Sequence, residues 1–267
     1  MKITLIILLF SLIIGIFTNY VFLSIHKNQT ALTFDSITFS STQTWDSELL
    51  SYLPKNINNQ EKVERTSYYL KNIELPYPPR NSSIITMDEL VDLHKLSNKR
   101  TKEIQNAIEN ELHFKNLTFD SFIVGNTEKE ATQKIIYEAR NQLNPVITSF
   151  KKHFDRVRPS YLDTSLTTTI EVPKHPSYPS GHATESYVYA LILSELDPVH
   201  EADYIRDALK IAKNREIAGV HYKSDSRAGR ELATQFFYIF IEDQYVKKLF
   251  ELARAEWNLS LQHTIFP

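Results

Sequence analysis

The chain has 267 residues, with 42% hydrophobic and 23% charged side chains, five glycines and no cysteine. This length suffices for one medium-sized domain with a sizeable core. The 30 Lys and Arg residues against 32 Asp and Glu residues give a formal net charge of −2, which argues against a nucleic-acid binder. The lack of cysteine in this sequence excludes a disulfide framework, a thiolate nucleophile and a zinc–thiolate site.

The first 25 residues predict an export signal. After Lys2, the run from Ile3 to Ile25 carries no charged residue and is long enough to span a bilayer as a helix. Its most apolar part, Ile3 to Phe17, has the length of a signal-peptide core. We therefore expect either a cleaved signal peptide or an uncleaved anchor, and a protein that is periplasmic or secreted. Membrane contact is expected only through residues 3–25, where they are retained.

The rest of the chain predicts a linker followed by one all-α domain, a single helical bundle. Residues 26–60 are rich in Ser, Thr, Asn and Gln, which is typical of a linker. Residues 61–267 are assigned to the helical domain, since helical spacing recurs from Met87 onward and no useful strand pattern occurs. The main predicted helices are Glu128 to Lys152 with Pro145 as a kink or break, His182 to Leu196, Glu201 to Lys213, and one long helix within Arg227 to Trp257. The segment from Pro159 to Pro179 is predicted to be rich in loops.

A first group of charged residues lies between Lys151 and Pro159. Lys151 and Arg158 are seven residues apart, about two helical turns, so a helix would place both cations on one face. Pro159 favours extended backbone at Arg158, and the face is expected to end there. Taken alone, the pattern is also typical of a solvated basic helix end.

A second group, Ser180-Gly181-His182, opens a predicted helix. A hydroxyl, free backbone N–H groups and a titratable ring at a helix start form a combination that binds anions. Gly181 would let an oxyanion approach the backbone closely. The alternative is an ordinary N-cap in which Ser180 caps the helix and His182 is incidental.

A third group contains Arg215, Gly219, His221 and Asp225. His221 and Asp225 are four residues apart, so a carboxylate can orient the imidazole and stabilise its charged form. Arg215 and His221 would point in different directions on an unbroken helix. They can converge only where the chain turns, and Gly219 lies between them. A surface helix with an ion pair is the alternative for this group alone.

Taken in chain order, the three groups resemble the three-part signature of the type-2 phosphatidic acid phosphatase/vanadium haloperoxidase superfamily. Their contexts, DRVRP, SYPSGHA and AGVHYKSD, look most like the exported bacterial class A nonspecific acid phosphatases. The resemblance spans Lys151 to Gly229. Three positions depart from the usual pattern: Asn214 replaces a common serine, Pro176 precedes Ser177-Tyr178, and Ala183 replaces a usual threonine.

The resemblance implies an acid phosphatase that hydrolyses a broad range of phosphate monoesters. It assigns His221 as the nucleophile that forms a phosphohistidine, Asp225 as the residue that orients it, and His182 as general acid and then base. The implied ligands of the phosphoryl oxygens are Lys151, Arg158, the Ser180 hydroxyl, the Gly181 N–H and Arg215. Four neighbours outside the matching positions are expected to be structural or supporting, namely His153, Asp155, Arg156 and His175.

This interpretation predicts small phosphorylated substrates, no metal and no cofactor, with phosphate or vanadate as occupants of the site. An acidic pH optimum is expected because His182 must begin the cycle protonated, with a pKa near ~6.5 where unperturbed. The alternatives are a vanadium haloperoxidase, a membrane-tethered lipid-phosphate phosphatase and a catalytically silent anion-binding protein. A homo-oligomer is left open.

Overall fold

The computed structural model describes residues 59–112, 119 and 128–265, with side chains up to Trp257. The predicted export segment therefore lies outside the described residues, as does all of the predicted linker except its last two residues. In the described ranges the regular structure is helical, with no strand, which confirms the predicted all-α bundle. The helices are α1 Gln60–Asn72, α2 Ile84–Ser97, α3 Lys102–Glu111, α4 Glu130–Phe154, α5 Pro159–Leu162, α6 Gly181–Leu196, α7 Glu201–Ile217, α8 Lys223–Phe240 and α9 Gln244–Ile265, with a 3₁₀ turn at Pro198–His200.

Helix α6 is the centre of the bundle. It packs against α4, α7, α8 and α9, which its sequence explains because apolar residues occur on all of its sides. Val188, Ile192 and Leu193 are fully buried there. The N-terminus of α6 carries Ser180-Gly181-His182, so the main core fixes this group directly.

A second, smaller core lies beneath the chain between α7 and α8. Leu93 of α2, Ile108 of α3 and Leu162 of α5 pack there against Val220 and Tyr222. This core holds the short connection on which His221 lies.

The connection turns at Gly219, whose φ of 81° is in the left-handed region. A Cβ at this position would meet the carbonyl oxygen of Thr167 at 2.9 Å, so both the backbone conformation and the space favour glycine. The chain thus turns between Arg215, in the last turn of α7, and His221, which precedes α8. The predicted turn at Gly219 is present.

The predicted single helix from Arg227 to Trp257 is wrong, because the chain forms two helices, α8 and α9. The break falls at residues 241–243, which include neither glycine nor proline. There Asp243 accepts hydrogen bonds through Oδ1 from the backbone N–H groups of Tyr245 and Val246, at 2.8 and 3.1 Å. An aspartate in this position caps a new helix.

Two further sequence predictions need correction. Pro145 lies inside α4 and does not end it, so the predicted break there is wrong. Helix α1 begins at Gln60, whereas the sequence predicts helical spacing only from Met87 onward. The buried face of α1 consists of Thr66 and Tyr69 rather than aliphatic residues, so the helix lacks the periodic apolar pattern on which the prediction depends. No helix in the described ranges is long and apolar enough to cross a membrane.

Candidate active site

All three predicted groups meet around one cleft of about 320 Å³ between α4, α6 and the connection from α7 to α8. Five predicted residues line the cleft: Lys151, Arg158, Gly181, His182 and His221. The other three, Ser180, Arg215 and Asp225, are buried and do not line it. The alternative of a solvated basic helix end is excluded because Lys151 and Arg158 are at most 1% exposed. The alternative of a surface ion pair is excluded because His221 and Asp225 are 4% and 0% exposed.

Lys151 and Arg158 converge through a change of chain direction rather than along one helix. Helix α4 ends at Phe154, and Asp155 adopts a left-handed backbone with φ of 45°. Arg158 then stands at the start of α5. The predicted shared helix face is therefore wrong, although both cations reach the same cleft.

His221 and Asp225 form the predicted pair. His221 precedes α8 and Asp225 lies in its first turn, so the pair does not depend on the helical spacing assumed from the sequence. His221 Nδ1 lies 3.1 Å from Asp225 Oδ2, and that oxygen also accepts from the Tyr222 backbone N–H at 3.0 Å. The ring orientation is thus fixed from one side.

Arg158 fixes the tautomer of His221. Its Nη1 lies 3.2 Å from His221 Nε2 and 2.8 Å from the carbonyl oxygen of Val220. A guanidinium group can only donate, so Nε2 must accept and carries its lone pair. The ring proton is then on Nδ1, and this N–H group donates a hydrogen bond to Asp225. This is the tautomer a nucleophilic imidazole needs.

Asp225 is itself held by Arg156, a residue that the sequence predicted to be only supporting. Arg156 Nη1 donates to Asp225 Oδ1 at 2.6 Å, and its Nη2 donates to Glu89 of α2 at 2.9 Å. The guanidinium also lies over the Tyr222 ring, 3.8 Å from its centre. Burial alone would raise the pKa of Asp225, but the Arg156 charge and the hydrogen bonds from His221 and Tyr222 lower it well below its usual range.

Glu89 was missed by sequence reasoning and completes this network. It accepts from the backbone N–H of Ser224 at 2.6 Å and from the Ser224 hydroxyl at 2.9 Å. It therefore ties α2 to the first turn of α8, which carries Asp225. Glu89 lies far from the three groups in sequence, and no local pattern marks it.

His182 projects from the first turn of α6, and its ring is hydrogen-bonded to the backbone carbonyl of Leu112. Gly229 of α8 allows the two helices to approach here, because a Cβ on it would meet the Ser180 carbonyl oxygen at 2.9 Å. A Cβ on Gly181 would meet nothing within 4 Å, so open space lies beside its backbone. That space suits the close approach of an oxyanion.

Ser180 and Arg215 carry buried donors with no partner among the described residues. They are the Ser180 hydroxyl and the Nε and Nη1 atoms of Arg215. Ser180 stands at the N-cap position of α6 but does not cap the helix with its side chain, so the ordinary N-cap interpretation is wrong. Buried donors are nearly always satisfied in folded proteins, so this arrangement indicates an absent acceptor.

The remaining guanidinium nitrogen of Arg215 is anchored. Its Nη2 donates to Glu111 Oε2 at 3.0 Å and to the Ile108 carbonyl at 2.9 Å. Asn214 donates to the other Glu111 oxygen at 2.6 Å. Asn214, the departure from the usual serine, thus helps to hold the carboxylate that positions Arg215. Sequence reasoning did not identify Glu111.

The titration of the site differs from the sequence expectation. Burial, with the charge of Arg215 in addition, lowers the pKa of His182 to about 3. Burial and the charge of Arg158 lower the pKa of His221 to about 3 against the opposing effect of Asp225. Burial and the Arg158 charge also hold the pKa of Lys151 well below its usual range. The expectation that His182 titrates near its ordinary value is therefore wrong, and both rings are neutral before substrate binds.

His175, which the sequence predicts to be structural or supporting, lies on the wall of the cleft itself. It lines the cleft, and its Nδ1 lies 3.1 Å from Arg158 Nη2 while its carbonyl oxygen accepts from Arg158 Nε at 2.9 Å. Burial and the charges of Lys151 and Arg158 hold the pKa of His175 far below its ordinary value. A neutral His175 therefore orients the Arg158 guanidinium. In the described ranges, no group of three His, Asp or Glu residues could hold a metal ion.

The fold of the chain is similar to that of a bacterial vanadium-dependent iodoperoxidase of known crystal structure, with a TM-score of 0.54 and 14% identity, covering 81% of this chain and 63% of that protein. The chain thus spans less than two thirds of the iodoperoxidase, and at this identity the likeness shows the fold alone.

Sequence relatives narrow the comparison to phosphatases. The chain is 27% identical over 186 residues to a nonspecific acid phosphatase of Providencia stuartii, covering 62% of this chain and 75% of that protein. It is 34% identical over 111 residues to an acid phosphatase of Zymomonas mobilis, covering 40% and 42% of the two chains. No protein-family model matches the chain. The relatives confirm the resemblance to nonspecific acid phosphatases, and the iodoperoxidase shares the fold of the chain.

Proposed function

We propose that the protein is an acid phosphatase that hydrolyses phosphate monoesters through a phosphohistidine intermediate. The observation that carries the proposal is His221, which has an unprotonated Nε2 and lines a cleft together with His182, Lys151 and Arg158. A nucleophile, a second titratable ring and cations in one buried cleft meet the requirements of phosphoryl transfer. The acid phosphatases among the relatives support the same reaction.

In the first step the lone pair of His221 Nε2 attacks phosphorus. A P–N bond forms as the P–O bond to the alcohol breaks, and His182 gives a proton to the departing oxygen. Asp225 accepts a hydrogen bond from the Nδ1–H group throughout and stabilises the positive charge that develops on the ring. In the second step His182 takes a proton from water, the water oxygen bonds to phosphorus, and the P–N bond breaks.

The charge that develops on the phosphoryl oxygens is met by donors already in place. The orphaned donors of Ser180 and Arg215 and the open backbone of Gly181 are the first candidates. Lys151 and Arg158 complete the set, because a phosphate dianion beside them favours their charged forms. These cations supply the charge stabilisation that a metal ion gives in other phosphatases, and we include metal independence in the proposal.

The first test is hydrolysis of p-nitrophenyl phosphate by the purified full-length chain, with and without EDTA. We expect turnover in both conditions and inhibition by vanadate, which occupies a phosphate site. Loss of turnover in EDTA would contradict metal independence while leaving the phosphatase reaction in place. Bromide oxidation in the presence of vanadate and peroxide, without phosphatase activity, would instead establish a haloperoxidase.

The pH profile provides a second prediction. Both catalytic histidines are neutral above pH about 3, while phosphate monoesters lose their second proton near pH ~6. The substrate monoanion therefore brings the proton that His182 later donates. We expect kcat/KM for an alkyl phosphate to be highest between these two values and to fall about tenfold per pH unit above the second. An optimum at neutral or alkaline pH would contradict this assignment.

Residues 3–25 support the proposal that the enzyme is exported, as a periplasmic, secreted or membrane-anchored protein. The expected substrates are small phosphorylated molecules rather than nucleic acid, given the net charge of −2.

A further inference from the structure

Glu185 is a carboxyl group on the wall of the cleft that the proposed mechanism does not use. It follows His182 by three residues on α6, and residues at this spacing share one helix face. Both line the cleft, opposite Arg140 and Asn144 of α4. Glu185 makes no hydrogen bond and no ion pair with any residue in the described ranges.

An unpaired carboxyl group is unusual in a cleft built for an anion. Burial raises the pKa of Glu185 to about 7, although the charges of Arg140 and Lys151 act in the opposite direction. At the acidic pH expected for the reaction, the group is therefore mainly a neutral acid. In that form it does not repel phosphate, and it can both donate and accept a hydrogen bond.

The geometry of the reaction places the leaving alcohol beside Glu185. His221 attacks phosphorus from one side, and the leaving oxygen departs on the opposite side, where His182 protonates it. Glu185 lies on the next turn of the same helix face, so the first carbons of the alcohol come next to its carboxyl group. If the bound alcohol covered the Glu185 carboxyl group without forming a hydrogen bond to it, the lost hydration of that group would cost free energy in the complex.

We propose that Glu185 binds a hydrogen-bond donor on the leaving alcohol, and that the enzyme thereby favours phosphate esters of hydroxylated or amino alcohols over plain alkyl phosphates. The proposal rests on the phosphatase function proposed above and adds a substrate class to it. Asn144, on the facing wall, offers an amide to the same group.

The test compares glycerol 1-phosphate, phosphoethanolamine and propyl phosphate as substrates of the full-length chain at acidic pH. Glycerol 1-phosphate and propyl phosphate have the same carbon skeleton, and only the first carries hydroxyl donors. We expect Glu185→Leu to lower the ratio of kcat/KM for glycerol 1-phosphate to that for propyl phosphate about tenfold, the effect of one lost hydrogen bond in a buried site.

The variant Glu185→Gln distinguishes recognition of a hydroxyl donor from recognition of an ammonium donor. The glutamine amide keeps one donor and one acceptor, so the glycerol 1-phosphate ratio should stay within about threefold of the parent value. An ammonium group gains most from the ionised carboxylate, so the phosphoethanolamine ratio should fall in this variant as the pH approaches neutrality. The matched control is Glu195→Leu at the other end of α6, where the exposed carboxylate pairs with Arg254 at 2.7 Å. This control should reproduce all parent ratios.

An equal change of all three substrates in Glu185→Leu, or no change, would overturn the proposal, because a merely structural role does not distinguish between alcohols. Hydrolysis of propyl phosphate by the parent shows that the phosphatase function holds in that case. Failure of the parent to hydrolyse any of the three esters would overturn the proposed function and this inference together.

Discussion

Replacement of His221 by alanine is expected to lower kcat for phosphate ester hydrolysis by at least about 10⁴-fold, because it removes the only nucleophile assigned to the reaction. The Nε2 lone pair is lost, and water would have to attack phosphorus directly. The cations and His182 remain, so substrate binding should change much less than turnover. The measurement is steady-state kcat and KM with p-nitrophenyl phosphate, together with trapping of labelled phosphoenzyme after rapid denaturation in alkali, which preserves phosphohistidine.

The matched control for this variant is His200→Ala. His200 is 59% exposed in its side chain and pairs with Asp197 outside the cleft. We expect parental kcat and labelled phosphoenzyme from the control, and neither from His221→Ala. Phosphoenzyme that survives in His221→Ala would assign the nucleophile to another residue.

Replacement of Asp225 by asparagine is expected to lower kcat about 10³- to 10⁴-fold with a smaller effect on KM. The asparagine amide can donate to His221 Nδ1, which moves the ring proton to Nε2 and removes the attacking lone pair. The change also removes one of the two carboxylates that pair with the buried Arg156 and leaves Glu89, and loss of a buried ion-pair partner destabilises the fold. The activity measurement must therefore be made well below the unfolding temperature of the variant.

Nitrogen NMR of labelled histidine separates the tautomer change from simple unfolding. The parent should show His221 protonated on Nδ1, and Asp225→Asn should show it protonated on Nε2 with the other histidine signals retained. Asp92→Asn is the control, since Asp92 is exposed on α2 and pairs with Lys95 at 3.0 Å. If Asp225→Asn kept the parental tautomer and still lost activity, the orienting role would be wrong.

Much of the site could be predicted because its residues fall into three short groups with internal spacing. Gly219 is the clearest case, since Arg215 and His221 would point in different directions on an unbroken helix and the one glycine between them makes a turn. The predicted contact between His221 and Asp225 is also present, although a different geometry produces it. His221 precedes α8, and the capping turn at Tyr222 rather than helical spacing brings the carboxylate to the ring.

The supporting carboxylates could not be predicted in the same way. Glu89 and Glu111 lie 67 and 104 residues from the arginines they bind, and nothing near them in sequence distinguishes them from other acidic residues on amphipathic helices. Their roles depend on how α2 and α3 pack against the rest of the bundle. The depressed pKa values of the histidines likewise follow from burial and from neighbours on other helices, which local sequence does not encode.

The hydrogen bond between Arg158 and His221 has a consequence for selectivity before any chemistry begins. All of the Arg158 nitrogens are already engaged, with His175, Pro176, Val220 and His221 as partners. A phosphoryl oxygen that accepts the Nη1 hydrogen now bonded to the imidazole would uncover the Nε2 lone pair, which can then attack phosphorus. Binding of the phosphate group and release of the nucleophile are therefore the same step. An uncharged electrophile cannot replace the imidazole as acceptor of the Arg158 hydrogen bond, so His221 stays protected from such molecules.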